Sequence, residues 1–376
     1  MYSVYQHWDP LRVCAVGQSY PPEFYDYITN KKVRSVFYKI AEETEEDYLK
    51  LIKLLESFNV EVIRPNMKDI KFNHFQHKGK YNTPPMCPRD YTAMIGTTFY
   101  MPGQSFTQEK WDTIKGSEYS TCPPATYQEF LSYPAWMQEE LIDKFYYSPP
   151  IWDSIEKACI NQRNKIVYDT TVNSAMVSRI GKDLYFGTEV NLSDIQIDKT
   201  KQDVIKMFPD YRCHIVNTQG HTDGTFCPVT PGLIISLKDI PSYANTFPDW
   251  EVIYLPGQSW SKVQSFLELK EKNKGKWWVP GQELNDDFTD FVEHWMSHWV
   301  GYVEETVFDV NMLVIDEKNV VCNNYNEEVF DALSRYGVTP HVVNFRHRYF
   351  WDGGIHCITS DLHREGTMQD YFPERS

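Results

Sequence analysis

The sequence predicts an α/β chain in which a hairpin, a helix and a strand recur as a unit. Paired apolar runs around a short polar or glycine-containing joint appear in YTAMIGTTFYM, MVSRIGKDLYFG, GTFCPVTPGLIISL and NMLVIDEKNVVCN, and RVCAVG near the start is a fifth candidate. Helical patterns lie between several of them, at residues 193–208, 260–270 and 326–335. β-like runs such as YRCHIV and TPHVVNF come after such helices.

Taken in order, the stretch 42–58, EETEEDYLKLIKLLESF, places Leu51, Ile52, Leu54 and Leu55 on one side of a helix with acids in its first turns. It runs into NVEVIRP, a short strand that Pro65 terminates. Residues 104–164, rich in Pro, Tyr and Trp, show no clean period and read as excursions over one face. Spacing between units is irregular, so a periodic solenoid is not implied. No low-complexity linker divides the chain, and residues 1–376 are read as one domain.

Composition narrows the function. A globular core is expected from 376 residues that are 41% hydrophobic and 15% aromatic. With 52 acidic against 37 basic side chains, the net charge of −15 repels phosphate backbones and anionic lipid, which argues against nucleic acid and membrane partners. MYSVYQHWDP lacks the basic and apolar regions of a signal peptide, and no run approaches the roughly 18 apolar residues of a membrane span. Eight scattered cysteines without a C-x-x-C pair suggest reduced thiols, hence a cytoplasmic setting.

Three stretches carry candidate chemistry. In DGGIHCITSD, residues 352–361, Cys357 reads as a core side chain, a metal ligand or a nucleophile. In QGHTDGTF, His221 and Asp223 would share a face of an extended run, as base and carboxylate or as a structural hydrogen bond. In CPRD, residues 87–90, the simplest reading is a loop salt bridge of Arg89. His294 and His298 stand four apart without the glutamate or third ligand of a zinc site, and KEKNKGK reads as a solvated turn.

These stretches fall in one order with W-D-P-L, G-K-D-L, N-x-L-x-x-D-E-K and G-G-x-H-C-x-T, and in that order the chain resembles an amidinotransferase of the glycine amidinotransferase type along essentially its whole length. The resemblance implies a pentein α/β-propeller, five hairpin-helix-strand units around a pseudo-fivefold axis. It implies transfer of an amidino group from a guanidino donor such as arginine to an amine acceptor, with Cys357 as nucleophile and His221 as acid and base. Asp90 and Asp223 would grip the guanidinium, since paired carboxylates match its fixed fork of N–H donors. A thiolate both attacks that carbon and leaves from it. No metal or organic cofactor is implied, and a homodimer is left open. Two alternatives stand beside transfer: a hydrolase or deiminase of the same superfamily, and a non-catalytic guanidinium-binding relative.

The sequence also departs from its relatives. Asn173 stands where they place the acid that partners the catalytic histidine, with Asp169 as the alternative in another register. Ile240 replaces an arginine used for the donor carboxylate, so Lys238 or Arg346 is expected in that role. Asp309 stands where a small hydroxyl residue is usual, and an added acid suits an added amine.

Overall fold

Parallel strand pairs cannot be joined by a tight turn, so a hairpin followed by a helix and a third strand closes naturally into a three-stranded sheet. The computed structural model describes residues 1–67, 76–77, 80–81, 83–102, 152–169, 171–237, 243–255, 277–297, 299–301 and 307–375. Among these, five three-stranded sheets share that design, and a two-stranded ribbon pairs Gln76–His77 with Lys80–Tyr81.

The first unit contains β1 (Leu11–Val16), α1 (Lys31–Ser57) and β2 (Glu61–Ile63). The second has β3 (Ala93–Ile95), β4 (Thr98–Met101), α2 (Asp153–Asn161) and β5 (Lys165–Tyr168). The third has β6 (Val177–Ile180), β7 (Asp183–Gly187), α3 (Asp194–Met207) and β8 (Arg212–Val216). The fourth has β9 (Phe226–Thr230), β10 (Leu233–Ser236), a helical turn Tyr243–Thr246 and β11 (Glu251–Tyr254). After α4 (Asp286–Trp295), the fifth has β12 (Leu313–Asp316), β13 (Asn319–Cys322), α5 (Glu327–Arg335) and β14 (Thr339–Val342).

The last strand, β15 (Thr359–Arg364), returns to the first unit and pairs antiparallel with β1, Cys14 opposite Asp361. RVCAVG therefore forms no local hairpin, contrary to its sequence reading, because its partner lies at the other end of the chain. With that closure the expected pentein architecture is complete: each sheet is an antiparallel pair plus a parallel third strand.

Helix α1 begins at Lys31 rather than near residue 42, because Val33, Phe37 and Ile40 extend the buried stripe of Thr44, Tyr48, Leu51 and Leu55. Asn30 caps it by accepting from the N–H groups of Lys32 and Val33. The acids expected in its first turns are thus mid-helix. The expected helix at 260–270 and most of segment 104–164 lie outside the described residues. No described helix is long and apolar enough to cross a membrane.

One polar hub is buried between the sheets. Asp361 on β15 accepts from Arg179 at 2.8 and 2.9 Å, from Arg364 at 2.7 Å and from Arg89 at 3.1 Å, with all four side chains essentially shut off from solvent. The Arg89 salt bridge anticipated from CPRD is therefore a core contact.

Candidate active site

In each unit a short segment leads into the first hairpin strand, and these five segments meet. They are the turns Pro88–Asp90 and Thr222–Gly224, the loop before β6, the helical turn Val307–Val310 with Asn311, and the loop before β15 that carries Cys357. Hydrogen bonds tie them into a closed circuit. Ala175 N–H donates to Arg89 C=O (3.3 Å) and Thr222 N–H to Ala175 C=O (2.8 Å). Asn311 Nδ2 donates to Asp223 C=O (3.3 Å), His356 N–H to Asn311 Oδ1 (2.9 Å), and Arg89 Nε to His356 C=O (2.8 Å). Residues scattered from 89 to 357 are thereby gathered at one centre.

That centre holds Cys357 and the carboxylates. Cys357 Sγ lies 3.5 Å from Asp223 Oδ2 and 3.0 Å from Asn311 Nδ2. His356 Nδ1 donates to the same Asp223 Oδ2 at 2.9 Å, and Oδ1 of Asp223 is buried with no hydrogen-bond partner among the described residues. Asp90 Oδ1 is likewise buried and has no donor among the described residues, although 31% of its side chain is exposed; His221 Nδ1 approaches it at 3.8 Å. Two buried, unsatisfied carboxylate oxygens are costly unless a ligand supplies donors. The glycine pair serves this packing: a Cβ at Gly354 would lie 2.5 Å from Asn311 Oδ1.

Electrostatics follow from this crowding. Burial, joined by Asp223 and Asp352, pushes Asp90 up to about 7, against the opposing pull of His221. Burial opposes charge on His221, but Asp90, Asp223, Asp352 and Glu189 outweigh it and raise its pKa. Burial, with the nearby Arg89, lowers His356 to about 4, so that ring is neutral and donates to Asp223, whose own pKa falls despite burial. Burial and the carboxylates of Asp223 and Asp90 hold the Cys357 thiol well above its ordinary value, so it is protonated while no cation is bound.

A carboxyl with a raised folded-state pKa binds its proton more tightly in the native protein, so its contribution to stability declines as pH rises from the unfolded value near 3.8 to about 7. His221, also raised, contributes stability below 6.5 that is lost as pH climbs through its folded pKa. The substitution Asp90→Asn is therefore expected to raise thermal stability at about pH 8 more than at about pH 4, while kcat/KM for a guanidino donor falls on the order of 10²-fold. Thermal melts across pH beside initial rates check both; a variant less stable at pH 8 would contradict the charge crowding.

The other expected site residues are placed as follows. Asn173 Oδ1 accepts from Met176 N–H at 3.1 Å, and Asp169 accepts from the backbone and hydroxyl of Thr171. Neither meets His221 in a described hydrogen bond; the carboxylate beside that ring is Asp90. Arg346 is held by Asp47 at 2.9 Å, Glu46 at 2.7 Å and Glu43 at 3.4 Å, all on α1, so its guanidinium is already matched by acids. Asp309 accepts from Asn324 and Asn326 and stands two residues before Asn311. Lys238, Ile240 and His298 lie outside the described residues. Asn311 in NMLVIDEKNVVCN and His356 in DGGIHCITSD stand at this centre without having carried an expected role.

Comparison with known proteins bears on this arrangement. No protein-family model matches the chain. A mitochondrial glycine amidinotransferase of Xenopus tropicalis is 23% identical over 408 residues, covering 98% of this chain and 84% of the frog protein. An L-arginine:L-lysine amidinotransferase of Pseudomonas savastanoi pv. phaseolicola is 21% identical over 331 residues, covering 85% and 78%. The chain is similar to amidinotransferases over nearly its whole length. Its fold agrees: an amidinotransferase of the saxitoxin biosynthetic pathway from Microseira wollei superposes with a TM-score of 0.58 at 17% identity, covering 99% of each chain. The inosamine-phosphate amidinotransferase of Streptomyces griseus gives 0.57, again with 17% identity and 99% coverage of both.

Proposed function

We propose that this amidinotransferase relative moves the amidino group of a guanidino donor, arginine by preference, to a primary amine through a covalent adduct on Cys357, with the whole chain acting as one catalytic domain. The observation that carries this is the pair of buried carboxylate oxygens, on Asp90 and Asp223, left without donors among the described residues beside a thiol. A guanidinium supplies the missing N–H groups and offsets the two negative charges that keep the thiol protonated. Docking of the cation thus favours loss of the thiol proton to solvent, giving the thiolate where the electrophilic carbon arrives.

The thiolate adds to that carbon, and His221 as imidazolium protonates the departing amine as the C–N bond breaks. An amidino-thioether remains on Cys357. An incoming neutral amine attacks the same carbon, loses a proton to His221 and expels the thiolate, which takes a proton back from solvent as the product cation leaves and so restores the enzyme. Asp90, rather than Asn173, is the charge partner assigned to His221 in this scheme. Arg346 is not given the donor carboxylate, since its guanidinium is already engaged by α1.

Supplying arginine with and without primary amines tests the scheme. Ornithine released in step with a new guanidino compound supports transfer; citrulline and ammonia would point to the deiminase. A cytoplasmic setting is proposed with it, because the seven described cysteines are all free thiols, although vertebrate relatives are named as mitochondrial.

A further inference from the structure

We propose that Asn311 is a catalytic residue: its side-chain amide donates to Cys357 Sγ and stabilises the sulfur as negative charge develops there. This rests on the reading of Cys357 as nucleophile and assigns the group that makes such a sulfur workable between carboxylates.

The amide's orientation is fixed by its surroundings. Oδ1 accepts two backbone donors, His356 N–H at 2.9 Å and Cys357 N–H at 3.2 Å, so Nδ2 must turn the other way. It then faces Sγ at 3.0 Å and the Asp223 carbonyl at 3.3 Å. Asn311 is 1% exposed, so water does not compete for these positions. Its own backbone is held as well: its N–H donates to Val307 C=O at 3.1 Å, and its C=O accepts from Asn323 Nδ2 at 2.8 Å. Asn323 Oδ1 in turn accepts Ile355 N–H at 3.0 Å, so two asparagines from the fifth unit grip the nucleophile loop, and of these Asn311 touches the sulfur.

The energetic logic is that of a preorganised donor aimed where charge develops. With Asp223 Oδ2 at 3.5 Å, negative charge on Sγ meets a carboxylate on one side. The amide dipole supplies opposite polarity next to it, with Nδ2 also 3.4 Å from that carboxylate oxygen, at no cost of reorientation, since both Oδ1 bonds hold it in place. The same donor receives the sulfur when thiolate departs from the adduct in the second half-reaction, so both halves draw on it.

Asn311→Asp separates this role from loop support, because a carboxylate retains an acceptor for the two backbone N–H groups while presenting an acceptor to the sulfur. Asn311→Ala removes the donor without adding charge. Asn323→Ser loosens the same loop without touching Sγ. Alkylation of Cys357 by iodoacetamide across pH, read by mass, gives the apparent thiol pKa of each folded variant.

Both Asn311 variants are expected to shift that pKa up by about one unit or more and to lower kcat on the order of 10²-fold with a smaller change in KM. Asn323→Ser should lower stability without moving the thiol titration. An unshifted alkylation profile with near wild-type kcat in a folded Asn311 variant would overturn the proposal. Failure of wild-type Cys357 to take up an amidino group from arginine would instead defeat the nucleophile reading beneath it.

Discussion

Replacing Cys357 with serine is expected to abolish amidino transfer and covalent labelling by arginine while the protein keeps its fold. A hydroxyl is a far weaker nucleophile than a thiolate at neutral pH. The docked guanidinium can favour loss of a thiol proton, but a hydroxyl proton is held too tightly for the same field to remove. The loss should reach at least about 10³-fold in kcat. Structure should survive, because the loop is fixed by the side-chain oxygens of Asn311 and Asn323 on backbone N–H groups, contacts that do not involve sulfur. Circular dichroism and a melt on the variant check folding beside the assay. Turnover near the wild-type rate would remove Cys357 from the chemistry.

The largest stability effect is expected at Asp361. Its carboxylate faces three guanidinium groups, those of Arg89, Arg179 and Arg364, with no solvent to share the charge. All three arginines also bind backbone carbonyls: Arg89 those of His356 and Thr359, Arg179 that of Met94, and Arg364 those of Asp9 and Val314. The hub thereby joins the segment bearing Asp90 to the strand that follows Cys357. Asp361→Asn preserves volume but leaves the cations uncompensated, and breaking a buried pair in this way costs about 3–5 kcal/mol. By contrast, Glu365→Gln breaks an exposed pair with Arg12, 41% and 66% exposed, and should change stability by less than about 1 kcal/mol. Urea unfolding of the two variants side by side measures the difference; equal losses would show that the hub is not what holds the ring closed.

The architecture was legible in the sequence where its signals are local. Four hairpins and the helices at 193–208 and 326–335 appear where their periodicity places them, because each is specified by neighbouring residues. Closure of β1 on β15 was not, since no local pattern tells a strand which distant edge it will meet. Glu43, Glu46 and Asp47 read as dipole-favouring acids at a helix start, yet the apolar stripe extends further back and the same acids hold Arg346. Asp361 in TSDLHR gave no hint of burial, because two of its three counter-ions, Arg89 and Arg179, lie on distant segments and only Arg364 stands in the same strand.

At the site, Cys357, His221, Asp90 and Asp223 each stood in a motif, but their convergence depends on the hydrogen-bonded circuit of the five lead-in segments. Spacing along the chain does not encode that circuit. Asn311 headed the N-x-L-x-x-D-E-K stretch and read as the start of a strand; its contact with sulfur became visible only when that segment was placed against the loop at 354–357.

The most direct test of amidino transfer through Cys357 is intact-mass and peptide-mass analysis after arginine carrying a labelled guanidino carbon is mixed with excess enzyme and quenched. The label should be found on Cys357 as a single amidino group, with ornithine released before any acceptor is added, and should pass from the protein to a primary amine on chase. A labelled adduct that still contains the ornithine portion, or label recovered only as citrulline with none transferred to amine, would contradict it.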